Sequence, residues 1–341
     1  MISKCSSCGG NLKFSPKNQC LMCEKCHSTL QINSSNEIIK HSYDGYLLNT
    51  NKTENASKPD ITNCPTCGAS ITLKGLEFSG KCPYCNSSLV INHSKNNIDI
   101  DAVVPFKIDM DTVYENYKTS VAKKFFIPSV FKKQPPMDKV KGFYIPSFSF
   151  DADTSTDYKG ILENTYTDKD GHHHSTTRHI KGHLDKNHKN VFIESSSKIS
   201  QNDLSGILPF DTSQSRKYQD EFILGYSVEK FEDTIENCYA LAKKEIDNDI
   251  RSSVLSQYRY DRVVSLNCDT TYYNKKYCYY MLPVYEISLD YKDKHYKTYM
   301  NGQTGKVGGG LPKSSLKIAF LVVFILFMIC IVLSSIIALC N

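Results

Sequence analysis

The stretch Cys5-Ser6-Ser7-Cys8-Gly9, followed by Cys23-Glu24-Lys25-Cys26, decides how the chain begins, because it occurs twice. Cys64-Pro65-Thr66-Cys67-Gly68 is followed by Cys82-Pro83-Tyr84-Cys85, and 14 residues separate the inner cysteines in both copies. A shift of 59 positions lays one copy on the other without a gap. Leu12 then falls on Ile71, Phe14 on Leu73, Ser28 on Ser87 and Leu30 on Leu89. Cysteines and apolar positions that match together mark an internal repeat of one small unit.

Each unit reads as a zinc ribbon. A Cys-x-x-Cys turn aims two thiolates at one ion, and two such turns on hairpins close a tetrahedral four-sulfur site. Gly after the second Cys relieves crowding where backbone amides face the sulfurs. A segment of about thirty residues buries too little apolar surface to fold alone, so metal binding supplies folding free energy. The spacing predicts two structural zinc ions: one on Cys5, Cys8, Cys23 and Cys26, the other on Cys64, Cys67, Cys82 and Cys85. Iron also fits four sulfurs, but zinc is the commoner occupant. Disulfides are disfavoured, since nothing reads as a secretory signal. All four positions of each site are filled, which leaves none for catalysis. Cys20 could build a rival site with Cys23, but the repeat puts Ser79 in its place and predicts a strand residue.

The layout that follows is ribbon 1 over residues 1–33, a polar linker over 34–60 and ribbon 2 over 61–93. A larger domain covers 94–312, and a C-terminal tail covers 313–341. Within the larger domain a helix is predicted over 109–124, capped by Asp109 or Asp111. Alternating residues over 141–150 predict a half-buried strand that continues through 151–167 to a hairpin turn at Asp170-Gly171. An apolar stripe of Val228, Phe231, Ile235, Cys238, Ala242 and Ile246 predicts a helix over about 227–250. Residues 258–300 read as two or three strands with a turn at Asn274-Lys275. Cys238, Cys268 and Cys278 read as buried thiols. Mixed helices and antiparallel strands make this an α+β domain.

Residues 318–340 carry no charge over 23 positions. A helix of that length spans about 35 Å, against about 30 Å for a bilayer core. Lys313 and Lys317 precede the run and only Asn341 follows it. The reading is a single-pass transmembrane tail anchor that contacts membrane lipid through 318–340 and leaves the N-terminal bulk cytoplasmic. Ser334 and Ala338 form a small-x-x-x-small pair.

The net charge of +5 does not by itself imply nucleic acid. Residues 1–93 hold nine Lys, no Arg and six acidic residues, and two four-thiolate zinc sites bring that region to about −1. The first arginine is Arg178. Ribbons without arginine are poor specific readers, so nucleic acid is disfavoured as a partner. Six of the ten histidines lie between His172 and His188. A metal or catalytic centre is one reading of them and an exposed polar loop the other. Adjacent residues of a hairpin point to opposite faces, and no acidic residue lies from His172 to His183. Asn301-Gly302-Gln303-Thr304-Gly305-Lys306 has the wrong spacing for a phosphate loop and reads as a β-turn. No catalytic motif is found, and the chain reads as a non-enzyme.

Val104-Pro105-Phe106, Gly142-Phe143-Tyr144-Ile145-Pro146, Leu208-Pro209-Phe210, Leu282-Pro283-Val284-Tyr285 and the 301–306 motif follow the ribbons in one order. Together they resemble bacterial membrane-associated proteins with transcription-factor-IIB-type zinc ribbons. Phe148 stands where an aromatic Trp is more usual, and the His-rich hairpin is a further departure. The resemblance implies neighbours of the phage-shock-protein-A-like and SPFH (flotillin-like) kinds and transfers no catalytic residue. The expected function is a tail-anchored adaptor that recruits protein partners at the membrane in envelope stress. The alternative is a nucleic-acid-binding zinc-ribbon protein.

Overall fold

Period-two runs rich in Tyr, Phe, Thr and Val favour extended backbone, and here they extend far beyond ordinary strand length. The computed structural model describes residues 4–49, 61–64, 67–72, 77–82, 84–85, 88–90, 100–133, 139–195, 198–229, 233–311 and 313–340. Strands β10 (Val140–Thr167) and β14 (Arg262–Tyr291) pair antiparallel from Val140↔Ile287 to Glu163↔Arg262. Strand β11 (His173–Glu194) lines the other edge of β10, from Ser147↔Glu194 to Thr167↔His173.

The remaining elements attach to this frame. In chain order, β1 (Leu12–Ser15), β2 (Cys20–Cys23) and β3 (Thr29–Leu30) form the three-stranded sheet of the first ribbon. Strand β4 (His41–Ser42) pairs with β14 and leads into helix α1 (Tyr43–Asn49). The second ribbon contains β5 (Ile61–Asn63), β6 (Ser70–Thr72), β7 (Glu77–Lys81) and β8 (Ser88–Val90). Strand β9 (Ala102–Val103) pairs with β14 and β12 (Arg216–Lys217) with β9, while helix α2 (Met110–Ala122) and helix α3 (Gln201–Ile207) pack on the sheet. Strand β13 (Ser227–Glu229) lies between β10 and β7 and so joins the second ribbon to the sheet. Helix α4 (Ile235–Leu255), β15 (Lys294–Asn301), β16 (Val307–Gly308) and helix α5 (Ser315–Cys340) complete the chain.

The lower half of the sheet is buried on both faces. Tyr144, Phe148, Phe150, Tyr279 and Met281 pack against α2, the start of α4 and the first ribbon. Phe143, Ile145, Tyr280 and Leu282 pack against α3 and Phe210. Above Phe150 the three long strands leave this core as an arm, with residues 151–167 reaching about 55 Å at strand rise. Ala152, Tyr158, Leu162 and Ile180 on one face of the arm meet Ile246, Ile250 and Val254 of α4. Residues of the opposite register, such as Asp157, Lys159 and Lys181, are exposed.

Asp109 caps α2 as expected, its carboxylate accepting from the Thr112 amide. The second helix begins later than its apolar stripe suggests. Val228 belongs to β13 beside Tyr144, and the Thr234 hydroxyl caps α4 by accepting from the Asn237 amide. Phe231 lies outside the described residues. No turn occurs at Asn274-Lys275. Asn274 has φ +52° because the register slips there, from Asp151↔Lys276 to Asp153↔Tyr273, and the chain reverses only after Tyr291. Cys238 and Cys278 are buried and Cys268 is half-buried. The stretch read as a polar spacer carries β4 and α1, where Tyr43 stacks on Tyr239 at 4.0 Å and Lys40 meets Asp151 at 2.6 Å.

The motifs behind the family resemblance converge on one node. Asn301, fully buried, donates to the carbonyls of Ile207 and Pro209 and accepts from the amides of Gln303 and Thr304. The Gln303 amide group clasps both backbone groups of Asp211, and Lys306 donates to the Leu208 carbonyl. A Cβ on Gly302 would lie 2.4 Å from the Phe106 ring and 2.9 Å from Pro283, so only glycine fits. These buried polar groups satisfy one another, which accounts for the motif as a structural clasp.

The tail requires a correction. Helix α5 forms, with Lys317 donating to the carbonyls of Phe125 and Ile127 at its base. Among the described residues, however, no helix is long and apolar enough to cross a membrane. Side chains of α5 are described from Ser315 through Ile331. Ser334 and Ala338 lie beyond those side chains. The transmembrane reading, lipid contact through 318–340, the membrane-bound cytoplasmic-face location and the adaptor function built on the anchor are therefore withdrawn. The phage-shock-protein-A-like and SPFH partners go with them.

His188 joins the arm to α4. Its ring is buried, with Nε2 3.1 Å from the Thr154 hydroxyl and Nδ1 3.2 Å from Asp249 of α4, which also holds Lys186 at 2.7 Å. Burial holds the imidazole below its ordinary pKa, partly opposed by Asp249 and reinforced by Lys186. The unfolded chain then takes up this proton first, so stability falls as pH drops through the ordinary imidazole value of about 6.5 towards the lowered one. His183 acts in the opposite sense. Asp157 and Asp185 raise its pKa, so its contribution is present at low pH and is lost on the alkaline side, but half-exposure keeps it small. The urea midpoint of the intact protein should decline below pH 6.5, and His188→Gln should flatten that decline. An unchanged decline in the variant would show that the joint does not titrate.

Candidate metal centres

The first ribbon puts its cysteines on two knuckles. The Cys5 amide donates to the Gly10 carbonyl at 2.8 Å and the Gly9 amide to the Cys5 carbonyl at 2.9 Å. The second ribbon repeats both bonds, Cys64 to Ala69 and Gly68 to Cys64, each at 2.8 Å. Gly9 and Gly68 sit at φ +68° and +71° with open space at the Cβ position, so backbone conformation and not crowding calls for glycine there. Crowding applies at Gly10, where a Cβ would lie 2.9 Å from the Cys23 sulfur.

The sulfurs converge in two groups, Cys5 with Cys8, Cys23 and Cys26, and Cys64 with Cys67, Cys82 and Cys85, each within 4.8 Å of one another. The closest pairs are Cys5–Cys26 at 3.7 Å, Cys8–Cys23 at 3.5 Å, Cys64–Cys85 at 3.6 Å and Cys67–Cys82 at 3.7 Å. A tetrahedron with zinc–sulfur bonds near 2.3 Å has sulfur–sulfur edges of about 3.8 Å. Donor set and spacing both fit zinc, and two structural zinc sites follow.

Ser28 is a participant that the spacing alone did not show. Its hydroxyl lies 3.1 Å from the sulfurs of both Cys5 and Cys26. This hydroxyl, with the amides of Ser7 and Cys8, pulls the Cys5 thiol down to about 6, whereas at Cys8 the Gly10 amide is outweighed by the facing sulfurs, which push the thiol up to about 12. Its alignment with Ser87 was the available signal, although Ser87 lies outside the described residues. Cys20 is buried in β2 and belongs to neither group.

Ribbon 1 is docked on the larger domain. The Phe14 amide donates to the Leu224 carbonyl at 3.0 Å, Gln19 reaches the Phe106 carbonyl at 2.7 Å, and Phe14 meets Phe222 at 5.6 Å between centroids. The first zinc site thus fixes the hairpin that rests Phe14 on the core.

The histidines do not form a third site. His173, His179, His183 and His188 are distributed along β11, which at strand rise separates His172 from His188 by about 50 Å. His174 pairs with Asp168 at the tip at 2.7 Å, and His183 lies between Asp157 and Asp185 at 2.7 and 3.0 Å. Among the described residues only the two cysteine groups gather enough close ligand atoms for an ion.

No family model matches the chain, and no solved structure does. The chain is 27% identical over 223 residues to "Uncharacterized protein YdjG" of Bacillus subtilis (strain 168). The match takes in 64% of this chain and 65% of that protein, so it spans less than two thirds of the relative's length.

Elemental analysis of the purified protein should give a zinc-to-protein ratio near two. Cys64→Ser with Cys67→Ser should lower it to about one, and Cys20→Ser should leave it near two. A wild-type ratio near one would contradict the assignment.

Proposed function

We propose that the chain is a non-catalytic, zinc-stabilised protein that binds nucleic acid through the distal hairpin of its arm. The observation that carries this reading is the composition and shape of that hairpin. Beyond the Glu163↔Arg262 pair, β14 ends and β10 and β11 continue as a two-stranded ribbon. Across residues 164–167 and 173–177 every side chain has a hydrogen-bonding group and none is a carboxylate. A two-stranded ribbon fits the major groove of B-DNA, about 12 Å wide, and such side chains can contact phosphates and base edges. Tyr166, 54% exposed, stacks on His174 at 5.2 Å and offers a face on which a base can stack. The resemblance of the ribbons to the transcription-factor-IIB type is in line with this ligand.

Three features support a non-catalytic role. Both four-sulfur sites are closed to substrate. The Asp168 carboxylate is taken up by its own turn, accepting from the amides of Asp170 and His172 and pairing with His174. Thr154, His188 and Asp249 stand in a hydroxyl–imidazole–carboxylate row, but Thr154 is fully buried and out of reach of a substrate.

Fluorescence anisotropy with short duplex and single-stranded oligonucleotides tests the reading. Binding at about 50 mM salt should weaken linearly in log–log form as salt rises. Tyr166→Ala should lower affinity about tenfold, the equivalent of roughly 1.4 kcal/mol of stacking. Absence of salt-dependent binding to either oligonucleotide would overturn it.

A further inference from the structure

The open face of the arm carries a charge arrangement that costs stability unless an anion joins it. Lys159 on β10 lies directly opposite Lys181 on β11, and on its other side opposite Asn267 on β14. Side chains paired this way stand about 5 Å apart at Cβ, and like charges directly opposite are destabilising. Among the described residues neither ammonium forms an ion pair; both are exposed. One row further out, Ile161 is flanked by His179 and Ser265.

Just beyond the Ile161 row the backbone departs from regular pairing. The β10–β14 register slips from Ile161↔Ser265 to Leu162↔Val263, so Val264 is an extra residue. Such a bulge bends its strand and re-aims neighbouring side chains. A depression of about 580 Å³ opens at this point, lined by both lysines, His179, Ser265 and Asn267 over an apolar floor that includes Ile161. Gly160 keeps the strands close, since a Cβ there would lie 2.5 Å from the Ser265 carbonyl.

The polar lining is two ammonium groups, an imidazole, a hydroxyl and an amide, and no described residue lining the depression is acidic. On this face the nearest carboxylates are Asp157 and Asp269, one row towards the core, and Glu163, one row beyond Ile161 towards the tip, where Arg262 meets it at 3.8 Å. Asp157 is engaged by His183, and that imidazole also meets Asp185.

We propose that this depression binds a phosphate group, with Lys159 and Lys181 supplying charge and His179, Ser265 and Asn267 supplying directional donors. A tetrahedral oxyanion accepts several hydrogen bonds at once and removes the repulsion between two facing ammonium groups. The proposal deepens the nucleic-acid reading and rests on it for the source of the phosphate. Thr165, Thr167, His173 and Ser175 of the distal hairpin share the register of Lys159 and Lys181, so a strand contacting that row can run its backbone across the lysines, whereas Tyr166 stands in the opposite register. A free phosphate or phosphate monoester shares the chemistry and is distinguished by the test.

The test uses the full-length, zinc-loaded chain and the double variant Lys159→Gln, Lys181→Gln. Removing the like-charge pair should leave the thermal midpoint unchanged or raised, which separates loss of binding from loss of fold. Amide resonances of the arm should shift on addition of inorganic phosphate in the wild type and not in the variant. For an oligonucleotide, the slope of log affinity against log salt should fall by about 1.4 to 1.8 in the variant, as expected for two lost phosphate contacts. Phosphate binding lost in the variant, without oligonucleotide binding by either protein, would uphold the site and overturn the nucleic-acid reading. Oligonucleotide binding with the same slope in both proteins would overturn the site and leave that reading standing. Neither ligand binding would overturn both.

Discussion

The antiparallel pairing of β10 with β14 holds core and arm together. Paired residues of these strands lie 99 to 147 positions apart in sequence, from Glu163↔Arg262 to Val140↔Ile287, so bringing them together costs loop-closure entropy before any contact forms. The lower half of the pair offsets that cost with aromatic burial, as where Phe148 stacks on Tyr279 at 5.1 Å directly across the strands. Strands β9, β11, β13 and β15 then extend the sheet from this pair, and the second ribbon adds on through β7 and β13. The same two strands, continued past the core, become the arm.

The zinc sites serve this frame. Ribbon 1 has its own sheet but rests Phe14 on Phe222, against the cluster in which Phe106 stacks on Tyr226 at 4.2 Å. Metal binding fixes the hairpin that presents Phe14, so folding energy gained at four sulfurs is transmitted to the aromatic node. The clasp of Asn301, Gln303 and Lys306 closes the opposite side by gripping residues 207–211. Motifs far apart in sequence meet because each supplies one part of that packing.

What the sequence made legible was what local chemistry dictates. Eight cysteines in a repeated spacing specify two tetrahedral sites whatever surrounds them. Asp109 announces a helix start, and Asp170-Gly171 a hairpin, because cap and turn geometry need those residue types. Asn274 misled for a related reason: a bulge and a turn both use left-handed backbone, and Asn suits either. Val228 shares the helical period of α4 while sitting in a parallel strand, a difference set by tertiary pairing with Tyr144. The arm was hidden because its outer strands alternate between a helix-covered and an open face without a long apolar run. The absence of arginine from the ribbons pointed away from nucleic acid, yet Arg178 and Arg262 lie on the arm, which composition alone could not place.

Core and arm form one continuous sheet built on β10 and β14. Amide hydrogen exchange on the zinc-loaded chain tests it most directly. Amides of residues 155–162 and 266–271 should be protected together with those of residues 143–150 and 278–285, graded only by fraying towards the tip. Arm amides that exchange as fast as exposed loops, beside a protected core, would contradict it.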